Sequence, residues 1–429
     1  MTEKTSLAIH NGTPIRHKKW TSWPPYNDEV VSEVTKALKS GRWAISGSYV
    51  ESPLLQHEFS RQFAAFNKVN YCLLTASGSS ALVVALEALD VGPGDEVIVP
   101  IWTWVATATS VLRVNATPVF VDVDPDTFCM SSEAARSAIT SKTKAIIPVH
   151  LHHSMADMDA FDSLSKETGI PIIEDAAQAH GAIWRGRRAG SIGRLGIFSF
   201  QQSKVITSGE GGAVITNDKE LYIRLQELSY DSRRWNVTPQ RLDDMQLVSS
   251  GHVMGANYCI SEIQAAILLS QLPRLEEQLE TRAKNANYLD KKLASLNCVY
   301  PLCQPAGLDR RTVYEYIIRI DRKAFKNIPI EVICEALKAE LQMSFYPADA
   351  LLHRSLLYQP STKKRFNLKS QDLGTSERAL KRFPVAESLS SDCIICQHPS
   401  FLGTYSDMDD IVAAFEKVLK YAHTIQIHL

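Results

Sequence analysis

The sequence predicts an α/β protein: a large unit built on a mostly parallel sheet, followed by a smaller α+β unit. From Asn27 onward, short β-branched runs such as "YCLLTA", "EVIVP", "TPVFVDV", "AIIPVH" and "IPIIED" alternate with helical stretches such as "SSALVVALEALDVG" and "SEAARSAIT". Strands alternating with helices make a parallel sheet covered on both faces. After about Gly251 the texture changes to long helical spacing and then back to strands, and 429 residues suffice for a large core and two such units.

The elements follow in order. Residues 1–26 read as an N-terminal arm, opening with "MTEKTSLAIHNGTPIRHKKW". In "NDEVVSEVTKALKSG" Asn27 caps a helix that stops at Gly41, with Val30, Val31, Val34, Ala37 and Leu38 along one face. Residues 27–280 form the expected large unit and 281–429 the small one. The junction falls in "NYCISEIQAAILLSQLPRLEEQLETRAKNANYLDKKLASL", a helical pattern that Pro273 is expected to interrupt because proline lacks the backbone donor. Beyond it, "TVYEYIIRI" and "SDCIIC" read as strands and "DMDDIVAAFEKVLKYAHTI" as a terminal helix.

Lys+Arg 46 against Asp+Glu 47 leave a net charge of -1, which steers the chain toward neither nucleic acid nor an anionic membrane. The opening has charges around a short apolar patch and fits neither a signal peptide nor a spanning helix, so a cytoplasmic protein is expected. Asn11 in "HNGT" is then an incidental match to a glycosylation acceptor. Of eight cysteines only Cys393 and Cys396 form a C-x-x-C, inside an apolar run suited to a buried strand, and they are read as core.

Ligands of an open parallel sheet bind outside the carboxyl ends of its strands, and three features fall on such ends. "TASGSSAL" turns from strand to helix through Ser77, Gly78, Ser79 and Ser80, either a plain helix cap or a seat for a phosphate. Asp175 ends the buried run of "PIIEDAAQAHGA", as a cap or as counter-ion to a ligand, with Gln178 and His180 close behind. Lys204 lies in "FSFQQSKVITSGEGG", after an apolar strand and before a glycine turn. A desolvated lysine becomes a nucleophilic amine fit for a Schiff base. Phosphate seat, carboxylate and amine together are the parts that hold pyridoxal phosphate.

With "GDEVIVPIWTWVATA", "TPVFVDVDPDTF", "AIIPVHL" and "GANYCISEIQAAILLSQL" added, the chain from about Leu7 to its end resembles the DegT/StrS-type sugar aminotransferases, fold type I enzymes that use pyridoxal phosphate. The resemblance implies that Lys204 forms the Schiff base and Asp175 pairs with the pyridinium nitrogen. It implies that Trp104 stacks on the cofactor ring, that Ser79, Ser80 and Ser199 hold the phosphate, and that Gln178 lies near the ring hydroxyl. Asn257, in "GANY", matches an asparagine that reaches the phosphate from a neighbouring subunit, which implies a homodimer with shared sites. The partners implied are a small-molecule amino donor and a ketone acceptor. No metal is expected.

One stretch departs from the family pattern. After the "PV" strand the family commonly has H-L-x-G, whereas this chain reads "HLHHSMADMD", with His150, His152 and His153. His150 and His152 would share a strand face, but Asp157 and Asp159 read as helix residues rather than ligands. The family's dehydratase branch lacks the lysine, so the presence of Lys204 favours transamination over dehydration; a non-catalytic binding or regulatory protein on the same fold is the second class of reading, which visible absorbance bleached by borohydride would exclude. "GRWAISG", "DMQL" and "NYCISEIQAAILLSQL" resemble the glutamine-dependent inosose aminotransferases of aminocyclitol antibiotic pathways. The alternatives are a keto-sugar-nucleotide aminotransferase, an aminobenzoate-precursor synthase and a non-catalytic regulatory protein on the same fold. "WRGRRAGSIGR", Trp184 to Arg194, is a basic cluster and a candidate to meet a diphosphate, and its spacing is that of a solvated turn.

Overall fold

A computed structural model describes residues 6–48, 54–236, 241–363 and 383–425. The first five residues of the expected arm, and residues 364–382 and 426–429 of the expected small unit, lie outside the described residues.

The main sheet is built from β1 (Tyr71–Thr75), β2 (Glu96–Pro100), β3 (Thr117–Val121), β4 (Thr143–Ile146), β5 (Ile173–Asp175), β6 (Leu195–Ser199) and β7 (Gly212–Thr216). Its two hydrogen-bonded groups, β1-β7-β6-β5 and β3-β2-β4, meet where Ile146 bridges Ile172 and Val149 bridges Asp175, both parallel. All neighbours are parallel except β7, which runs against both β1 and β6. This is the mostly parallel sheet that the alternating runs predict. Its strands are apolar and buried along their length because helices cover both faces.

Two helices position the site. α1 (Asp28–Lys39) is capped by the Asn27 side chain, which accepts from the Val30 N–H. Its expected apolar face is poorly covered within the chain: Ala37 is buried, while Val31 and Leu38 are exposed. α2 (Gly78–Ala88) begins in a capping box, where Ser77 and Ser80 each bond the other's backbone N–H. Ala81, Leu82, Val84, Ala85 and Leu86 are all buried, so this helix is apolar nearly all round and packs inside the molecule.

The junction differs from expectation at one residue. α3 (Glu262–Ala294) runs unbroken through Pro273. A proline inside a helix forfeits one hydrogen bond and crowds the preceding turn. Here Ser261 caps the start in a second capping box, and Leu272, Leu275 and Leu279 bury the turns around the proline. Packing outweighs the lost bond.

The core has two parts. The larger surrounds the main sheet and takes in α3 as far as Leu279; the smaller begins on α3 at Ala286. The smaller one fills an antiparallel sheet of β8 (Val299–Pro301), β9 (Glu315–Ile320), β10 (Phe345–Pro347) and β11 (Cys393–Gln397), in the order β8-β9-β11-β10. Cys393 and Cys396 lie on β11 with their side chains in different cores, and all eight cysteines are free. The N-terminal arm docks on this C-terminal sheet and its helices. Leu7 enters the smaller core, the Arg16 guanidinium pairs with Asp407 (2.8 Å) and Asp410 (2.6 Å), and the Trp20 indole donates to the Leu341 carbonyl. No helix among the described residues is long and apolar enough to cross a membrane.

Candidate active site

The carboxyl ends of β1, β2, β5 and β6 open into one cavity of about 410 Å³, closed on its far side by the C-terminal sheet. Ser77, Gly78, Ser79, Trp104, Asp175, Gln178, Ser199 and Lys204 line it. The structure therefore brings most of the residues singled out in the sequence to one place.

The floor near β1 is made by close backbone approach. A Cβ on Gly212 would stand 2.4 Å from the Ser77 carbonyl carbon, and one on Gly78 would stand 2.9 Å from the Ser199 Cβ. Glycine at both positions lets β7 and β6 close against the start of α2, leaving N–H groups and hydroxyls facing the cavity. Ser80 turns away from it: its hydroxyl donates to the Ser77 carbonyl (2.8 Å) and accepts from the Ser77 N–H (2.9 Å). Ser199 Oγ accepts from the Gln201 N–H at 3.3 Å and keeps its own proton to donate.

Asp175 ends β5 deep in the cavity, 5% exposed. Its Oδ2 accepts from the Thr107 hydroxyl (2.8 Å) and its Oδ1 from the Ala177 N–H (3.2 Å). Burial pushes its carboxyl above the usual range, while those two donors and the Lys204 charge hold it down. Gln178 accepts from the His152 N–H at 2.6 Å through Oε1. Burial brings the His180 imidazole down to about 3, with the Lys204 charge adding to the effect, so this ring is neutral.

Lys204 lines the cavity and is half-buried there. Burial draws its ammonium down to about 8, against the opposing pull of Glu315, Asp175 and Asp349. The amine lies over the Tyr314 ring, 3.7 Å from the centroid. Trp104 lines the mouth and is 52% exposed, whereas Trp102, two residues earlier, is buried and stacked on Phe128.

Asn257 is absent from this lining. It is exposed, its Oδ1 accepts from the Cys259 N–H, and its backbone bridges Tyr230. The three histidines face three different partners. His150 Nε2 meets Glu174 (3.0 Å), His152 Nδ1 meets Glu315 (3.0 Å), and His153 stacks on Tyr316 beside Arg311. Among the described residues no cluster of three or more His, Cys, Asp or Glu side chains is gathered for a metal. The basic cluster is tied up away from the cavity: Arg185 and Arg187 pair with Asp159, Arg188 with Glu276, and Arg194 with Asp218.

Sequence reasoning did not single out Thr107, Tyr314, Glu315, Asp349 or Gln397, all of which line the cavity. A signal existed for Glu315, since a charge inside the apolar run "TVYEYIIRI" needs a buried partner or a ligand. Asp349, two residues past the end of β10, carried none.

The residues present fit pyridoxal phosphate by their chemistry. The start of α2, held close to β6 and β7 by Gly78 and Gly212, offers N–H groups and hydroxyls to a phosphate, a buried carboxylate awaits a ring nitrogen, and a desolvated amine awaits an aldehyde.

Comparison with known proteins agrees. Residues 25–414 match the DegT/DnrJ/EryC1/StrS aminotransferase family. The chain is 45% identical over 415 residues to the L-glutamine:2-deoxy-scyllo-inosose aminotransferase of Streptoalloteichus tenebrarius, covering 97% of this chain and 98% of that protein. It is 37% identical to the L-glutamine:scyllo-inosose aminotransferase of Streptomyces griseus, covering 97% and 98%. Among solved structures, 3-amino-5-hydroxybenzoic acid synthase superposes with a TM-score of 0.80 at 29% identity, over 96% of this chain and 100% of that one. With full-length relatives, a shared fold and a cavity that carries the matching amine and carboxylate, the chain belongs to the DegT/DnrJ/EryC1/StrS aminotransferase family and is an aminotransferase that works with pyridoxal phosphate.

Proposed function

We propose that this enzyme moves the amino group of L-glutamine onto an inosose-type cyclitol, a free cyclic ketone, as a step in building an aminocyclitol. The observation that carries the reading is the similarity over essentially the whole of both chains to relatives whose names state that donor and that kind of acceptor. The arginines of the Trp184–Arg194 stretch speak against a nucleotide-diphosphate acceptor, because each is paired with a carboxylate outside the cavity.

The roles assigned follow from the side chains. When bound, pyridoxal phosphate takes up nitrogen through its aldehyde carbon and draws off the electron pair of the broken C–H bond. Lys204 would hold the cofactor through its amine, and the same amine would carry the proton of the reacting C–H bond. Asp175 keeps a proton on the ring nitrogen, and Thr107 aims its carboxylate. Ser77, Ser79, Ser199 and the N–H groups opening α2 receive the phosphate. Trp104 covers the ring at the mouth.

A homodimer with shared sites is part of the same reading. Asn257 has no place in its own chain's cavity, and apolar side chains are exposed on the stretch leading to it and beside the start of α3: Met254 at 94%, Trp43 and Met245. Eight free cysteines accord with a reducing cytoplasm.

Stopped-flow spectra test the reading. L-Glutamine should convert the cofactor to its amine form, and 2-deoxy-scyllo-inosose or scyllo-inosose should convert it back. Return by a keto-sugar nucleotide but by neither inosose would overturn it.

A further inference from the structure

The far wall of the cavity comes from the C-terminal sheet, and it is acidic. Glu315 opens β9 and Gln397 closes β11, and the two are direct register partners. Asp349 follows β10 by two residues, where the Ala348 N–H bonds to the Cys393 carbonyl on β11. Three adjacent strands thus present Glu315, Gln397 and Asp349 to one space. Glu315 is buried and held by His152 Nδ1 at 3.0 Å. The Asp349 carboxylate makes none of the hydrogen bonds found among the described residues. Among the described residues four carboxylates line the cavity (Asp175, Glu210, Glu315 and Asp349) against a single cation, Lys204.

We propose that Glu315 and Asp349 determine specificity for the acceptor: their carboxylates receive hydrogen bonds from the ring hydroxyls of a polyhydroxylated cyclic ketone and turn away acceptors bearing phosphate. The inference rests on the reading above that the acceptor is a free cyclitol ketone. A carboxylate only accepts hydrogen bonds, and its oxygens offer about four lone-pair sites, which suits vicinal hydroxyls. An anion on the same wall meets repulsion in a cavity that water screens poorly. Burial together with the Glu315 charge already pushes the Asp349 carboxyl up, the response of two close carboxyls to each other.

The two substrates must therefore respond with opposite sign. Glutamine brings an α-carboxylate that this wall repels, whereas the acceptor brings donors that it attracts. Removing one charge should help the first and harm the second.

The test uses the holoenzyme and its variants Glu315→Gln and Asp349→Asn, with each half-reaction followed separately and myo-inositol binding measured by calorimetry. Each variant should lower kcat/KM for 2-deoxy-scyllo-inosose by about 10- to 100-fold, the loss of one or two hydrogen bonds to a charged group. Each should weaken myo-inositol binding and speed the glutamine half-reaction at subsaturating donor. Cofactor absorbance and melting temperature confirm that the variants remain folded and loaded. Equal slowing of both halves would reduce the wall to a structural role, and no change in either would remove it from the site; both overturn the inference. If wild-type enzyme instead used only a keto-sugar nucleotide, the reading of the acceptor would fail whatever the variants did.

Discussion

The Lys204 amine lies 3.7 Å from the centroid of the Tyr314 ring, and the Tyr314 hydroxyl is 2.9 Å from Ser203 Oγ. The lysine comes from the loop after β6 and the tyrosine from the C-terminal unit. Bringing the two units together thus removes the amine from water and lays it against a ring that attracts a cation but accepts no proton from it. The amine is drawn down to about 8 because burial is the largest influence on it.

This placement makes stability depend on pH. An ammonium whose folded value lies below its unfolded one carries a penalty that is present in full below the folded value and relieved as pH rises toward the unfolded one. For cofactor-free protein, Lys204→Met should therefore be more stable than wild type by up to about 3 kcal/mol below pH 8. The gap should close between pH 8 and the ordinary lysine value of 10.5. Urea unfolding of both proteins at pH 7 and pH 10 measures it, and a gap that grows with pH would contradict the burial argument.

Asp175→Asn should retain cofactor and lose rate. An amide has nearly the shape of the carboxylate: its oxygen can accept from the Ala177 N–H and its NH2 can donate to the Thr107 hydroxyl oxygen, but it cannot hold a proton on a ring nitrogen. The expected loss is about 10²- to 10³-fold in kcat, the scale for one preorganised electrostatic partner. Exchange of the glutamine α-proton with solvent isolates the step, and unchanged exchange would leave Asp175 as a structural cap.

What the sequence displayed was local. Serines and a glycine between strand and helix, a carboxylate at a strand end and a lysine after an apolar strand are each visible within a few residues, and all but Ser80 reach the cavity. Ser80 shows the ambiguity of such signals. A serine three places into a helix serves a capping box as readily as a phosphate, and only coordinates reveal that its hydroxyl turns back to Ser77. The far wall was hidden because it is assembled by pairing β9, β10 and β11, segments well separated in the chain. Pro273 was misleading for a related reason: the local cost of a proline is legible, the burial that outweighs it is not.

Glu174 carries a prediction about stability. It is fully buried one residue before Asp175, and its oxygens accept from Gly190, Ile192 and Gly193 N–H groups while facing His150. Glu174→Ala leaves one buried and two partly buried N–H groups unpaired and should cost about 3 kcal/mol. Chemical denaturation measures this, and a change below about 1 kcal/mol would mean that water replaces the carboxylate.

The proposed sharing of sites between two subunits makes a prediction of its own. Asn257→Ala and Lys204→Ala should each be inactive, yet mixing them with subunit exchange should restore roughly a quarter of the sites, because each hybrid dimer has one site carrying both defects and one carrying neither. Absence of rescue after verified exchange would make each chain's site self-contained.

The most direct measurement of the central claim is borohydride reduction of the holoenzyme followed by peptide mapping. The account predicts loss of the visible absorbance and a single pyridoxyl-modified peptide, "FSFQQSKVITSGEGG", with the label on Lys204. Label on another lysine, or cofactor that washes away unreduced, would contradict it.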